Sequence, residues 1–192
     1  MLNSKVDKAP REFKGIKKSQ KKGLIIVHTG DGKGKSTAAF GTAIRALGRG
    51  QKVAIVQFIK GKWKTGEEIF FKSLGERCQI FPMGEGFTWE TKNFVQDKKT
   101  TLKAWNKCCQ VLRDSQFQLV IFDEINYVLQ YNFLDVDKVI KELKRKPPLK
   151  HVILTGNGAP ESIIELADLV TEMKCVKHPY PQGVPAQLGI EY

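Results

Sequence analysis

Cysteine and histidine are scarce in this chain, four and three residues out of 192. Cys78, Cys108, Cys109 and Cys175 form no C-x-x-C pair and have no histidine at zinc spacing, which argues against a zinc cluster or a disulfide framework and for reduced, structural thiols. His28 and His178 lack the spacing of a catalytic pair, and no Ser/His/Asp or Cys/His constellation stands out. No apolar run approaches the ~20 residues of a membrane span, and Met1-Leu2-Asn3-Ser4-Lys5 lacks the apolar stretch of a secretory signal. A cytoplasmic protein without a membrane partner is expected. Acids are also short, 20 Asp/Glu against 32 Lys/Arg for a net charge of +12. Residues 1–22 alone carry eight Lys/Arg against two acids, half of that excess. The charge is therefore concentrated in one arm, and a nucleic-acid-binding face is not expected.

The length and the 41% hydrophobic content suit one domain with a full core. Residues 1–22 read as a basic mobile arm with a short helix near Arg11 to Lys18, and residues 23–192 as the folded domain. Its organising stretch is Thr29-Gly30-Asp31-Gly32-Lys33-Gly34-Lys35-Ser36-Thr37, which follows the apolar run Gly23 to Val27 and opens an alanine-rich helix. Glycines let consecutive N–H groups turn toward one anion, the helix begins at its positive dipole end, and a lysine reaches the phosphates. The common pattern G-x-x-x-x-G-K-[ST] is shifted here: Thr29 stands at its first glycine and Gly30 follows one residue later.

Apolar and periodic segments alternate along the rest of the chain. A helix from Gly34 to Leu47 places Phe40, Ile44 and Leu47 on one stripe, with Ala39, Ala43 and Ala46 beside it. Val53 to Ile59 is a strand buried on both faces. Thr65-Gly66-Glu67-Glu68 opens a short helix with Ile69, Phe70 and Leu74 as its apolar face, and Cys78 to Met83 is a strand. Thr91 to Asp114 is the longest helix, with Phe94, Leu102, Trp105, Cys108, Cys109 and Leu112 at helical spacing. Strands then follow at Gln118 to Glu124, His151 to Thr155 and Leu169 to Val176, with helices from Asp135 to Lys144 and after Pro160. The expected fold is α/β, a doubly wound, mostly parallel sheet of about six strands, with ligands at the carboxyl ends of the strands.

Lys35 is the expected triphosphate contact, whereas Lys33 points either to phosphate or to water. Ser36, directly after the lysine, is the expected magnesium position. Asp123 and Glu124 end a buried strand, where two carboxylates call for a metal ion or another cation unless they serve as helix caps. In Gly86-Phe87-Thr88-Trp89-Glu90, aromatics flanked by glycine either bind a flat ligand or fold back on the core.

Several segments together resemble the ATP:corrinoid adenosyltransferases of the bacterial cobalamin pathway, the type built on a P-loop fold. They are Thr29 to Gly41, Val56-Gln57-Phe58-Ile59-Lys60-Gly61, Gly86 to Glu90, Phe122-Asp123-Glu124, Val176 to Tyr180 and the stretch from Gly183 to Tyr192. The resemblance spans residues 23–192; Ser36 departs from the threonine common in the family but keeps a hydroxyl.

The resemblance implies transfer of the 5′-deoxyadenosyl group of ATP to the cobalt of a reduced corrinoid, with release of triphosphate, in adenosylcobalamin biosynthesis or salvage. Gly30, Asp31, Gly32, Lys33, Gly34, Lys35, Ser36 and Thr37 would hold ATP, with Arg45 as a further contact. Ser36 and Glu124 would hold Mg2+ or Mn2+, with Asp123 as an additional candidate, and Lys35 and Glu124 would be the catalytic pair. Phe87 and Trp89 would face the corrin ring, and the arm would close over the site. A homodimer and a reduced flavoprotein electron donor such as flavodoxin are further expectations of the resemblance. A nucleic-acid-stimulated P-loop ATPase and a small-molecule kinase are the rival classes; the second would want an arginine-rich lid, and arginine is sparse and scattered here.

Overall fold

The computed structural model describes residues 21–59, 64–84 and 94–191. The expected arm, apart from Lys21 and Lys22, lies outside the described residues, as do Phe87 and Trp89.

The apolar runs form β1 (Ile25–Thr29), β2 (Val53–Gln57), β3 (Cys78–Pro82), β4 (Leu119–Asp123), β5 (His151–Thr155) and β6 (Leu169–Glu172). These make one six-stranded sheet in the order β3-β2-β4-β5-β1-β6, with every pairing parallel. Parallel neighbours require crossovers, which are supplied by α1 (Lys35–Gly48), α2 (Gly66–Ser73), α3 (Phe94–Arg113), α4 (Ile125–Gln130), α5 (Val136–Lys144) and α6 (Glu161–Leu166).

Side chains alternate across a strand, so each of the central strands β2, β4 and β5 feeds two cores. On one face, Ala39, Phe40 and Ala43 of α1 and Phe71 of α2 cover Val53, Ile55, Leu119, Ile121 and Ile153. Alanines let α1 approach the sheet closely, and Phe40 meets Phe71 edge-on at 5.5 Å between ring centres. On the other face Trp105, Cys108 and Leu112 of α3, with residues of α4, α5 and α6, cover Val56, Val120, Phe122 and Leu154. Trp105 stands edge-on to Phe122 at 6.2 Å. The sheet is thus doubly wound.

The structure corrects several local expectations. Ile44 is 52% exposed, so α1 buries its alanine stripe with Phe40 and not Ile44. In α2, Ile69 and Phe70 face outward while Phe71 is buried, one position along from the expected face. Leu102 of α3 is exposed, and α4 follows β4 directly where no helix was expected. β6 stops at Glu172 instead of Val176, and all four of its residues are exposed.

Candidate active site

The carboxyl ends of β1, β2, β4 and β5 lie side by side on the face that α1 covers. Register pairs His28 with Thr155 and Gln57 with Asp123, and Asp123, Thr155 and Gln57 continue the alternation of Ile121, Ile153 and Ile55. A polar row thus replaces the apolar one where the strands end. His28 in this row is buried, and burial pushes its imidazole pKa down.

The loop after β1 turns on Gly30, at φ 96°, where a side chain would meet the Met173 carbonyl oxygen at 2.4 Å. That close approach is used: the Gly32 N–H donates to the Met173 carbonyl at 2.7 Å, and the Met173 N–H donates to the Thr29 carbonyl at 2.8 Å. Asp31 accepts from the Cys175 N–H at 3.0 Å, and the Lys33 ammonium is paired with Glu191. The Thr29 hydroxyl accepts from the Ala159 N–H at 3.1 Å, which gives a use to the residue standing at the common pattern's first glycine. The segment after β6 therefore straps the back of the loop. It holds Gly30, Asp31 and Gly32 in place.

α1 then begins without a side-chain cap, at Gly34 with φ 105°. The N–H groups at Lys35, Ser36 and Thr37 fall in the first turn, where a helix has no internal acceptors, and this turn holds no acidic side chain. An anion is the partner such an end lacks. The Lys35 ammonium donates to the Gly32 carbonyl at 2.6 Å, folded back over its own loop.

Asp123 is buried, with Oδ1 accepting from the Thr155 hydroxyl at 2.7 Å and Oδ2 from the Gln57 amide at 3.0 Å. Glu124 follows in the left-handed region, at φ 62°, and donates its N–H to the Thr155 hydroxyl at 2.9 Å. Burial, then the neighbouring Asp123, lifts the Glu124 carboxyl to about 7, with Lys35 as the opposing positive charge. A carboxyl so placed invites a cation.

Lys35, Asp123 and Glu124 are therefore gathered at the same ends of the sheet, and Ser36 follows Lys35 on the first turn of α1. Arg45 is not: ten residues along α1, it lines a separate cavity of about 320 Å³ with Leu24, Ile26, Leu119 and His151, at the amino ends of β1, β4 and β5. Thr155, Gly156 and Met173 were missed from sequence. A polar residue closing an apolar strand before glycine, as in Leu154-Thr155-Gly156, was the available signal for the first two.

A family model described as ATP:corrinoid adenosyltransferase BtuR/CobO/CobP matches residues 21–192. The chain belongs to this family. Within the corrinoid adenosyltransferases it is similar to the protein of that name from Sinorhizobium sp., 49% identical over an alignment spanning 96% of this chain and 87% of the relative. The corrinoid adenosyltransferase of Escherichia coli K12 is 45% identical, spanning 89% and 86%. Among solved structures, the flagellar accessory protein FlaH from Methanocaldococcus jannaschii aligns with a TM-score of 0.50 at 21% identity, covering 78% of this chain and 70% of that one. FlaH shares the fold. No described helix of this adenosyltransferase is long and apolar enough to cross a membrane.

Proposed function

We propose that the chain transfers the 5′-deoxyadenosyl group of ATP to the cobalt of a reduced corrinoid (cobalamin, cobinamide or cobyrinic acid a,c-diamide) and releases triphosphate. The observation that carries this reading is the uncapped amino end of α1, with Lys35 on it and the Asp123–Glu124 pair beside it. In the proposed step the electron pair on cobalt forms the bond to C5′, the C5′–O bond breaks, and its electrons leave with the triphosphate. The nucleophile arrives already reduced, so no protein base is required. The chain's task is to orient ATP and stabilise the charge that develops on the leaving group. Lys33 to Thr37 supply N–H groups for that purpose, and Lys35 exchanges the Gly32 carbonyl for phosphate oxygen.

The residues fit a magnesium ion. Ser36, Asp123 and Glu124 offer hard oxygens, and the buried Gln57 Oε1 beside Asp123 has no hydrogen-bond partner. Among the described residues no group of three or more His, Cys, Asp or Glu is gathered to hold a metal alone. That agrees with a cation held by one or two carboxylates together with substrate phosphates. Ser36 and Glu124 would hold it, with Mn2+ as an alternative, and it would neutralise the triphosphate. Asp123, with both oxygens bonded, would act through ordered water.

Phe87 and Trp89 are proposed to face the corrin ring, and the arm of residues 1–22 to close over it, excluding water from the reduced metal. A homodimer is proposed; Leu169 and Val170 on the edge strand β6 and Leu188 and Ile190 beyond it leave apolar surface exposed. A reduced flavoprotein such as flavodoxin is proposed as electron donor, and the +12 charge suits an acidic partner. Analysis of phosphate products tests the reading: triphosphate in the presence of reduced corrinoid supports it, and ADP or orthophosphate made without corrinoid contradicts it.

A further inference from the structure

Glu124 sits in a backbone conformation that a non-glycine residue adopts only when its surroundings enforce it. What enforces it here is the end of β5. The Thr155 hydroxyl has one proton and is placed between two groups of β4, donating to Asp123 Oδ1 at 2.7 Å and accepting from the Glu124 N–H at 2.9 Å. The next residue, Gly156, has φ 121°, and a Cβ there would come within 3.1 Å of Glu124 Oε2 and 3.1 Å of the Tyr127 nitrogen. Asn126, at the start of α4, donates its side-chain amide to the Gly156 carbonyl at 3.1 Å. One strand end therefore touches the backbone, the carboxylate and the following helix of the same glutamate.

We infer that Thr155 is a positioning residue for the metal site: its hydroxyl locks Asp123 and the Glu124 backbone into one arrangement, and Gly156 leaves the space in which the Glu124 carboxylate lies. This rests on the proposed magnesium role of Glu124. The hydroxyl fixes a direction as well as a distance, because donating to Asp123 commits its proton and leaves only lone pairs for the Glu124 N–H. Without it, Asp123 Oδ1 loses its donor, the Glu124 N–H loses its acceptor, and the glutamate is released from the left-handed conformation. Ser36 is held by α1 on another strand's loop and does not depend on this contact. The role is therefore specific to the carboxylate half of the site.

The test uses the full chain and two binding measurements that involve no corrinoid. Mn2+ binding in the presence of triphosphate is read by electron paramagnetic resonance, and triphosphate binding in EDTA by calorimetry. Thr155→Val is expected to weaken Mn2+ by roughly tenfold or more, the range for losing a residue that orients a metal ligand, and to leave metal-free triphosphate binding within about twofold. Thr155→Ser, which keeps the hydroxyl, is expected to retain Mn2+ affinity within about threefold. Should Thr155→Val fail to fold, Thr155→Cys replaces it, and its poorer hydrogen-bonding thiol is expected to bind Mn2+ several-fold more weakly than Thr155→Ser. Unchanged Mn2+ affinity in the valine variant, equal weakening of metal and triphosphate, or a serine variant as impaired as the valine one would overturn the inference. A chain that fails to adenosylate corrinoid yet shows this Mn2+ pattern would instead overturn the proposed reaction alone.

Discussion

The ammonium of Lys35 lies 2.6 Å from the carbonyl oxygen of Gly32, so the loop's principal cation is bonded to the loop itself. Binding triphosphate exchanges a neutral acceptor for an anionic one, which adds a direct charge–charge attraction to a bond whose donor is already ionised. Lys35→Ala is expected to lower turnover by about a thousandfold, the loss typical of removing a fixed group that stabilises developing charge. Its melting curve should stay close to that of the parent, because Lys35 is half-buried and its hydrogen bond is to its own loop. Steady-state kinetics and circular dichroism measure the two outcomes.

Gly30→Ala tests the strap. A Cβ at this position would lie 2.4 Å from the Met173 carbonyl oxygen at a φ that side chains avoid. The loop must therefore part from Met173, and ATP affinity should fall by more than about tenfold while the two cores stay intact. Calorimetric ATP binding together with a thermal melt separates this local loss from global unfolding.

The raised Glu124 carboxyl predicts a pH dependence with a definite sign. Its value lies near 4.5 in the unfolded chain and about 7 in the folded, metal-free one. The folded state therefore holds the extra proton between those limits; this stabilising contribution is complete below 4.5 and is lost as pH rises through 7. Metal binding must displace the same proton, so Mg2+ affinity in the presence of ATP should rise up to about pH 7 and level off above it. In Glu124→Gln that rise should flatten, and the Mg2+ concentration for half-maximal rate should increase by about tenfold or more. Metal titrations at pH 6, 7 and 8 read both effects.

Trp89→Ala is expected to impair corrinoid adenosylation far more than ATP binding. Loss of one base-sized aromatic contact corresponds to about 1–3 kcal/mol, or roughly five- to 150-fold in corrinoid KM or kcat/KM. Unchanged turnover with weakened ATP affinity would remove Trp89 from the corrinoid side.

Much of this architecture was legible because parallel strands buried on both faces leave near-continuous apolar runs, as in Val53 to Val56 and Leu119 to Phe122. The phosphate loop was legible for a different reason: strand, glycines, Lys-Ser and helix are all local. What escaped was long-range or short. Helix α4 has six residues and leaves β4 through the left-handed Glu124, with no glycine or proline to announce a boundary. Ile44, Ile69 and Phe70 matched a helical period, yet alanine packing and Phe71 set the buried faces. Arg45, given a nucleotide role by resemblance, sits ten residues along α1 from Lys35, about 15 Å at 1.5 Å per residue. The bonds from Gly32 to Met173, Lys33 to Glu191 and Thr155 to Asp123 join segments that no local pattern relates.

In the proposed reaction the chain grips the triphosphate end of ATP so that C5′ reacts. This is tested by supplying ATP labelled with carbon-13 at C5′, magnesium and a chemically reduced corrinoid under anaerobic conditions, then following the labelled carbon by nuclear magnetic resonance. A light-sensitive product with the label bonded to cobalt, and one triphosphate released per product, is expected. Label retained in ADP, AMP or unreacted ATP, with no cobalt–carbon signal, would contradict it.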